Sequence, residues 1–184
     1  MSGGKIILLN GASSAGKSSL ARGIQMRIEE PFWHVSMDHL RDAGVLPMAR
    51  IRRGEFDWKA MRQAFFDGID RSYAAYASAG NNLIVEHIVE TPAWMARLVG
   101  ILSPFDVFFV GVHCTLAELE RREAARGDRP IGDARRDFHT VHAHARYDFE
   151  IDLTAPRGDE AERTIAAWRA RTAPSAFARL AGGL

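Results

Sequence analysis

The sequence predicts a single α/β domain, spanning residues 1–184, in which helices cover both faces of a parallel β-sheet. Five apolar runs have the length of buried strands, and helical patterns fill most of the gaps between them. Strands that alternate with helices favour a parallel sheet with a helical layer on each face. A composition of 47% hydrophobic and 26% charged residues is typical of a globular protein, and the chain is long enough to form a core.

Five segments are interpreted as strands because each is a short, mostly apolar run. They cover residues 5–10, 33–37, 82–88, 106–113 and 148–153. In sheets of this kind, ligands bind outside the carboxyl ends of the strands, so we expect the functional site there.

The helices are predicted from apolar residues spaced three and four apart. In the longest of them, a stripe that runs from Trp58 to Tyr76 is expected to pack mainly in the core. The predicted helices cover residues 17–29, 58–79, 92–102, 115–126, 131–145 and 159–171. The last segment, residues 172–184, contains Pro174 and two glycines and is expected to be loosely held.

Between the first predicted strand and the first helix, residues 11–18 read GASSAGKS and match the phosphate-binding pattern G-x-x-x-x-G-K-[ST] at every required position. In such a loop the backbone N–H groups point at phosphate oxygens, and the helix N-terminus adds partial positive charge. Lys17 is expected to reach the outer phosphates, and the Ser18 hydroxyl to bind Mg²⁺. The predicted nucleotide-binding residues are Gly11, Ala12, Ser13, Ser14, Ala15, Gly16, Lys17, Ser18 and Ser19, joined by Arg122 and Arg126.

Two acidic residues at strand ends are candidates for chemistry. Asp38 follows the second strand run, where a carboxylate would accept a proton from a substrate hydroxyl as that oxygen attacks phosphorus. Position alone equally allows Asp38 to cap the N-terminus of a following helix. Glu86 ends the run Leu83–Glu86 in the third strand, where phosphate-loop proteins hold Mg²⁺, usually through water. The adjacent His87 is interpreted as a structural histidine.

An arginine cluster occupies the region 120–140, which is predicted to form a mobile lid. Arg122 and Arg126 are four residues apart and share one helical face, and Arg129 follows in a turn. Arginine binds phosphate bidentately and stabilises charge on a transferring phosphoryl group, and a lid would exclude water. The alternative is a solvated helix in which glutamates pair with arginines, and that interpretation is favoured for Arg121. We expect catalytic roles for Lys17, Asp38, Arg126 and Arg129.

Charge and hydropathy restrict the function classes. The formal net charge of +1 provides no global basic field, so neither nucleic acid nor a membrane surface is an expected partner. Cys114 is the only cysteine, which excludes an internal disulfide. No apolar run is long enough to span a bilayer, and the first residues do not resemble a signal peptide. The sequence thus favours a cytoplasmic protein and leaves homo-oligomerisation open.

Taken together, these residues resemble the chloramphenicol phosphotransferase family of phosphate-loop kinases over nearly the whole chain. The most specific part is the segment 122–129, which reads REAARGDR. Other matching positions are residues 7–11 and 13–18, Asp38 with Leu40, Gly80, Val141, His142, Tyr147, Asp148, Asp152 and Thr154. The chain departs from the chloramphenicol enzyme between Asp38 and Glu86, where it looks shorter, and at Glu86–His87, where that enzyme has two acids.

The resemblance implies a P-loop NTPase fold of nucleotide-kinase type, a three-layer sandwich with a five-stranded parallel sheet and an arginine-rich lid. It also implies transfer of the γ-phosphate of ATP to a hydroxyl of a small molecule with Mg²⁺, with Asp38 as the base. The acceptor is expected to bind in the region 39–66. Two alternatives stay open: an ATP-binding regulatory switch, and a kinase of a nucleotide sugar or coenzyme precursor whose phosphate Arg50, Arg52 and Arg53 would bind.

Overall fold

A computed structural model describes residues 3–126 and 131–183 and contains a five-stranded sheet whose paired strands are all parallel. The spatial order is β2-β3-β1-β4-β5. The strands are β1 (Lys5–Asn10), β2 (Phe32–Ser36), β3 (Asn82–His87), β4 (Asp106–His113) and β5 (Phe149–Asp152). The prediction of a five-stranded parallel sheet is confirmed, with differences of one or two residues at some strand ends.

Nine helices lie in the described residues. They are α1 (Lys17–Gln25), α2 (Met37–Asp42), α3 (Met48–Arg52), α4 (Trp58–Ser78), α5 (Pro92–Leu102), α6 (Leu116–Arg126), α7 (Asp133–Thr140), α8 (Glu160–Arg169) and α9 (Ala176–Gly182). Six of them correspond to predicted helices, whereas α2, α3 and α9 are short helices that the apolar spacing did not indicate. The structure contains no helix in its described parts that is long and apolar enough to cross a membrane.

The central strand β1 divides the core into two layers because its side chains alternate between the faces of the sheet. Ile7 and Leu9 pack with residues of α1 and α8, while Ile6 and Leu8 pack with residues of α4, α5 and α9. All four are completely buried, which explains why this strand reads as a continuous apolar run. The predicted arrangement of helices on both faces is therefore observed.

The expectation that the α4 stripe packs mainly in the core is confirmed, whereas the predicted loose tail needs correction. In α4, Ile69 and Tyr73 are buried and Trp58 and Phe65 pack against the same core layer, while Met61 and Tyr76 are substantially exposed. In the tail, Phe177 of α9 is completely buried, and its ring lies 5.0 Å from that of Phe109. This apolar contact holds α9 against β4 and α5, so the described part of the tail is packed rather than loose.

Candidate functional site

A cavity of about 880 Å³ lies at the carboxyl ends of β1, β2 and β3, the edge of the sheet where a ligand was expected. Its lining includes the phosphate loop from Ser13 onward, Ser19, Asp38, Glu86 and Arg126. Arg122 lines it as well, so one space brings together most of the residues that the sequence singled out. Arg129 lies outside the described residues.

The phosphate loop takes the shape that its two glycines permit. Gly16 has a φ of 99°, a left-handed conformation that side chains rarely adopt. At Gly11, a β-carbon would lie 2.4 Å from the backbone oxygen of Val112, so only glycine allows this close approach to β4. The Lys17 ammonium donates to the carbonyl oxygens of Gly11 and Ala12, both at 2.7 Å. Gly11 and Ala12 thus support the lysine and are not part of the cavity lining.

The two predicted Mg²⁺ ligands are in direct contact. The Ser18 hydroxyl donates to Glu86 Oε2 at 2.8 Å, and Glu86 Oε1 lies 2.6 Å from His34 Nε2. Burial alone would raise the pKa of Glu86, but hydrogen bonds with His34 and Ser18 and the charge of Lys17 hold it below its usual value. Glu86 is therefore an ionised carboxylate beside the phosphate loop, and its oxygen donors suit a hard divalent cation.

Asp38 lies in the first turn of α2 and does not cap that helix. The cap is Ser36, whose hydroxyl oxygen accepts from the backbone N–H groups of Asp38 and His39 at 3.1 and 3.4 Å. The capping alternative for Asp38 is therefore wrong. Its carboxylate lines the cavity, and Oδ1 lies 3.3 Å from Arg41 Nη1. This places an acid at the cavity wall on a helix that begins where β2 ends.

Arg121 and Arg122 are neighbours in α6 but have different environments. Arg122 donates to the backbone oxygens of Leu153 at 2.7 Å and Ala15 at 3.3 Å, and its Nε donates to Glu118 at 2.7 Å. Arg121 pairs bidentately with the same Glu118 and has 68% of its side chain exposed. The Glu–Arg pairing that was predicted for Arg121 is observed, while Arg122 joins α6 to the phosphate loop.

Two buried carboxylates that the sequence analysis did not identify hold α7 in place. Glu123 accepts hydrogen bonds from the N–H groups of Gly132 and Ala134, both at 2.9 Å, at the start of α7. Asp137 is completely buried and accepts from the N–H of Ser13 at 3.1 Å. Burial raises the pKa of Asp137 even though its neighbour Arg136 donates to it. Helix α7 is thus connected directly to the phosphate loop.

The opposite wall of the cavity comes mostly from residues beyond the predicted acceptor region. Within the segment 39–66, the cavity lining includes only His39, Asp42, Arg62 and Phe66. Helix α4, the last residue of β3 and the residues that follow it supply the rest, namely Ile69, Tyr73, His87, Ile88, Glu90 and Trp94. This wall carries aromatic rings, and the Arg62 guanidinium donates to Glu90 at 3.0 Å.

Arg50, Arg52 and Arg53 do not line the cavity, although the sequence offered them as ligands for an acceptor phosphate. Arg50 and Arg53 both pair with Glu55, at 2.6 and 2.7 Å. These contacts hold Arg50 of α3 and the following Arg53 beside Glu55, which lies on the turn after α3. The structure therefore does not support a phosphate-binding role for them in this cavity.

A hydrogen-bond network behind the aromatic wall explains His87. The fully buried Asp70 accepts from Trp94 Nε1 at 2.9 Å and lies 3.0 Å from His87 Nε2. The other ring nitrogen of His87 accepts from the Ile88 N–H at 3.0 Å, so His87 carries its proton on Nε2 and donates it to Asp70. Both nitrogens are occupied, which supports the structural interpretation of His87.

Comparisons with known proteins give a family. The model of the family described as chloramphenicol phosphotransferase-like protein matches residues 4–169. A protein of Mycobacterium tuberculosis H37Rv named "Putative O-phosphotransferase Rv2636" is 35% identical over 199 residues. The match covers 96% of this chain and 88% of the relative. The family resemblance seen in the sequence is confirmed.

Solved structures share the fold. The APS kinase CysC of Mycobacterium tuberculosis, in complex with AMPPNP and APS, has a TM-score of 0.68 at 17% identity, with 92% of this chain and 99% of that chain covered. A sugar kinase from Janibacter sp. HTCC2649 also has a TM-score of 0.68, at 19% identity, with 92% and 96% covered. These likenesses confirm a P-loop kinase fold.

Proposed function

Because this chain belongs to the chloramphenicol phosphotransferase-like family, we propose that it transfers the γ-phosphate of ATP to a hydroxyl group of a small molecule. The observation that carries the proposal is that a complete phosphate loop and the carboxylate of Asp38 line the same cavity. Phosphoryl transfer needs this arrangement, since the protein contributes mainly positioning and electrostatic stabilisation.

The side chains around the cavity have separate roles in this reaction. The loop N–H groups, Lys17 and Arg126 hold the phosphates and stabilise the charge that develops on the transferred group. Asp38 accepts the proton of the acceptor hydroxyl while the oxygen of that hydroxyl bonds to the γ-phosphorus. The bond between that phosphorus and the β–γ bridging oxygen breaks, and ADP leaves. Arg129 has a proposed catalytic role in the same step by its place in the family motif.

Ser18 and Glu86 would hold Mg²⁺, and their oxygens, 2.8 Å apart, fit that ion because Mg²⁺ prefers oxygen ligands. When bound, Mg²⁺ neutralises charge on the phosphate oxygens. The segment 120–140, with α6 and α7, serves in the proposal as the lid that excludes water. The hydrogen bond from Ser13 to Asp137 supports this role, because it connects that segment to the phosphate loop.

The aromatic wall of the cavity, which includes Phe66 and Trp94, favours an acceptor with a flat or apolar body. The rings of Phe66 and Trp94 are in edge contact at 4.6 Å between centroids, and the Arg62 guanidinium lies 4.8 Å from the Phe66 ring centre. The charge of Arg62 is offset by Glu90. We therefore propose a hydroxylated acceptor whose apolar part packs against the accessible edges of these largely buried rings, with antibiotics and metabolites, chloramphenicol included, as the first compounds to test.

The test is transfer from γ-labelled ATP with Mg²⁺ across such a panel. We expect a labelled product with the unaltered protein, none with Lys17→Ala, and ATP binding without turnover for Asp38→Asn. Asp106→Asn is the control, since Asp106 lies exposed at the start of β4, pairs with Arg171 and does not line the cavity. Turnover by Asp38→Asn at the level of the control would exclude Asp38 as the base. ATP binding with no product and an ATP-dependent partner would instead support a regulatory switch.

A further inference from the structure

Glu86 faces two histidines on the side away from Ser18. His34, His39 and Glu86 each offer one ligand atom, and these atoms all lie within 4.8 Å of one another. His34 Nε2 and Glu86 Oε1 are 2.6 Å apart, and the two imidazole rings lie 4.5 Å apart between centroids. No step of the proposed phosphoryl transfer uses either histidine, so this cluster requires its own explanation.

Regular structure positions all three side chains. His34 lies on β2 and Glu86 on β3, and the parallel register places Ser36 opposite Glu86, two residues beyond His34. Only 6% of the His34 side chain and 9% of the Glu86 side chain are exposed. His39 lies in the first turn of α2, where the Ser36 cap accepts a hydrogen bond from its backbone N–H. The cluster is therefore built on strands and a capped helix, which hold ligands more closely than a loop does.

The donor set differs from the one that Mg²⁺ prefers. Two imidazoles and one carboxylate suit borderline divalent ions such as Zn²⁺, Co²⁺ and Ni²⁺, whereas Mg²⁺ prefers oxygen ligands. Catalytic zinc sites usually have three protein ligands and one open coordination position. His39 and Glu86 also line the cavity, so the open position would be reachable from it.

We propose that His34, His39 and Glu86 Oε1 form a binding site for a borderline divalent cation, separate from the Mg²⁺ position at Ser18. The carboxylate of Glu86 then bridges two cation positions, because Oε2 faces Ser18 and Oε1 faces the histidines. The ion replaces the hydrogen bond between His34 and Glu86 that closes the cluster without it. This site does not depend on phosphoryl transfer and is testable without nucleotide.

The experiment measures Co²⁺ and Zn²⁺ binding to the full chain by visible absorption and by calorimetry, with no nucleotide present. We expect one ion per chain, and a Co²⁺ spectrum that Zn²⁺ abolishes. Loss of an outer-shell partner alone weakens metal binding by about 10–100-fold, so loss of a ligand should weaken it by at least about 100-fold. His39→Ala removes an exposed ligand, and His34→Gln keeps a hydrogen-bond donor near Glu86 but removes the imidazole.

The controls separate this site from other binding. His144→Ala removes an exposed histidine outside the cluster and should leave the affinity unchanged. Millimolar Mg²⁺ should not displace the ion, because the histidines exclude Mg²⁺ as a competitor. Unchanged affinity in His39→Ala and His34→Gln, or equal displacement by Mg²⁺, would overturn the proposal. Failure of every acceptor in the kinase assay would leave it standing.

Discussion

Arg122 donates hydrogen bonds to more protein groups around the phosphate loop than binding a phosphate alone would require. Its guanidinium donates to the backbone of the phosphate loop at Ala15 and to Leu153 just after β5, and Glu118 orients it from the preceding turn of α6. A guanidinium is planar and carries five N–H donors, so one side chain can serve these separate acceptors at once. The residue thus stabilises the loop before any ligand binds.

Arg122→Ala should therefore lower the free energy of unfolding by about 1–3 kcal/mol, since buried carbonyl acceptors lose a charged donor. It should weaken ATP binding as well, because the loop loses its support. Arg121→Ala is the matched control, as this exposed neighbour pairs with Glu118 on the surface of α6 and should cost less than about 1 kcal/mol. Urea unfolding and ATP titration of both variants provide the measurement, and equal effects at the two positions would contradict the assignment.

His142 makes the stability of the fold dependent on pH. Burial, together with the charges of His113 and Lys17, lowers the pKa of this imidazole to about 4. The unfolded chain, with a histidine pKa of about 6.5, binds the proton first as the pH falls. Stability contributed by neutral His142 is present above about pH 6.5 and decreases as the pH falls toward about 4.

We expect His142→Asn to unfold with a smaller difference in stability between about pH 7.5 and about pH 5.5 than the unaltered protein, because asparagine does not titrate. Asparagine retains an acceptor for the Tyr147 hydroxyl, which lies 2.6 Å from His142 Nδ1. Thermal unfolding at the two pH values measures the difference, and His144→Asn serves as the exposed control. Identical pH dependence in the protein and in His142→Asn would show that another group titrates.

At the scale of elements, α7 is positioned by two carboxylates rather than by an extensive apolar face. Its buried residues are Ala134 and Asp137, and Glu123 of α6 accepts from two N–H groups at its beginning. The first N–H groups of a helix have no partner within the helix, and a negative charge there also interacts favourably with its dipole. Glu123 therefore serves as a cap supplied by a neighbouring helix.

Removing that cap should loosen α7. Glu123→Ala leaves two N–H groups without this acceptor and should cost about 1–2 kcal/mol, whereas Glu123→Gln keeps an acceptor oxygen and should cost less. Glu120→Ala, which removes a glutamate of α6 that pairs with Arg135, is the control. Hydrogen exchange at the Ala134 amide gives the local readout. Unchanged protection in Glu123→Ala would contradict the role of the cap.

Elements with a local signal were predictable from the sequence, and those that depend on the tertiary structure were not. The phosphate loop, β1 and α5 follow from a motif, an apolar run and a proline at a first turn. Helices α2 and α9 are short and are held by a serine cap and by the burial of Phe177, neither of which produces a long periodic pattern. The ends of β2 and β5 also shift because residues at strand termini have weak preferences.

At the scale of the whole molecule, site residues with a local sequence signal were likewise predictable, whereas those positioned by the tertiary structure were not. Ser18 and Glu86 were predicted as Mg²⁺ ligands, Ser18 from the phosphate-loop motif and Glu86 from its place at the end of a strand run. The aromatic wall was missed because Phe66 and Trp94 reach the cavity only through the strand order β2-β3-β1, which the sequence does not reveal. The role of Asp137 was likewise hidden, since it depends on where α7 packs.

The two core layers support different sides of the cavity. The phosphate loop continues from β1 into α1, which packs with α8 on one face of the sheet, while the aromatic wall belongs to the layer of α4 and α5 on the other face. A nucleotide at the phosphate loop therefore contacts mainly the layer of α1 and α8, and an acceptor at the aromatic wall contacts mainly the layer of α4 and α5. Binding of nucleotide and binding of acceptor should then stabilise the molecule by separable amounts.

A nonhydrolysable ATP analogue with Mg²⁺ at about 100 times its Kd should stabilise the fold by about 2.7 kcal/mol, which raises the Tm of a domain of this size by roughly 5–10 °C. Lys17→Ala should lose most of this shift, while Phe66→Ala should keep it and lose only the additional shift produced by an acceptor. Arg50→Ala, outside the cavity, should keep both. Loss of the nucleotide shift in Phe66→Ala would show that the two layers respond as one unit, because the wall would then be coupled to the phosphate loop through the sheet.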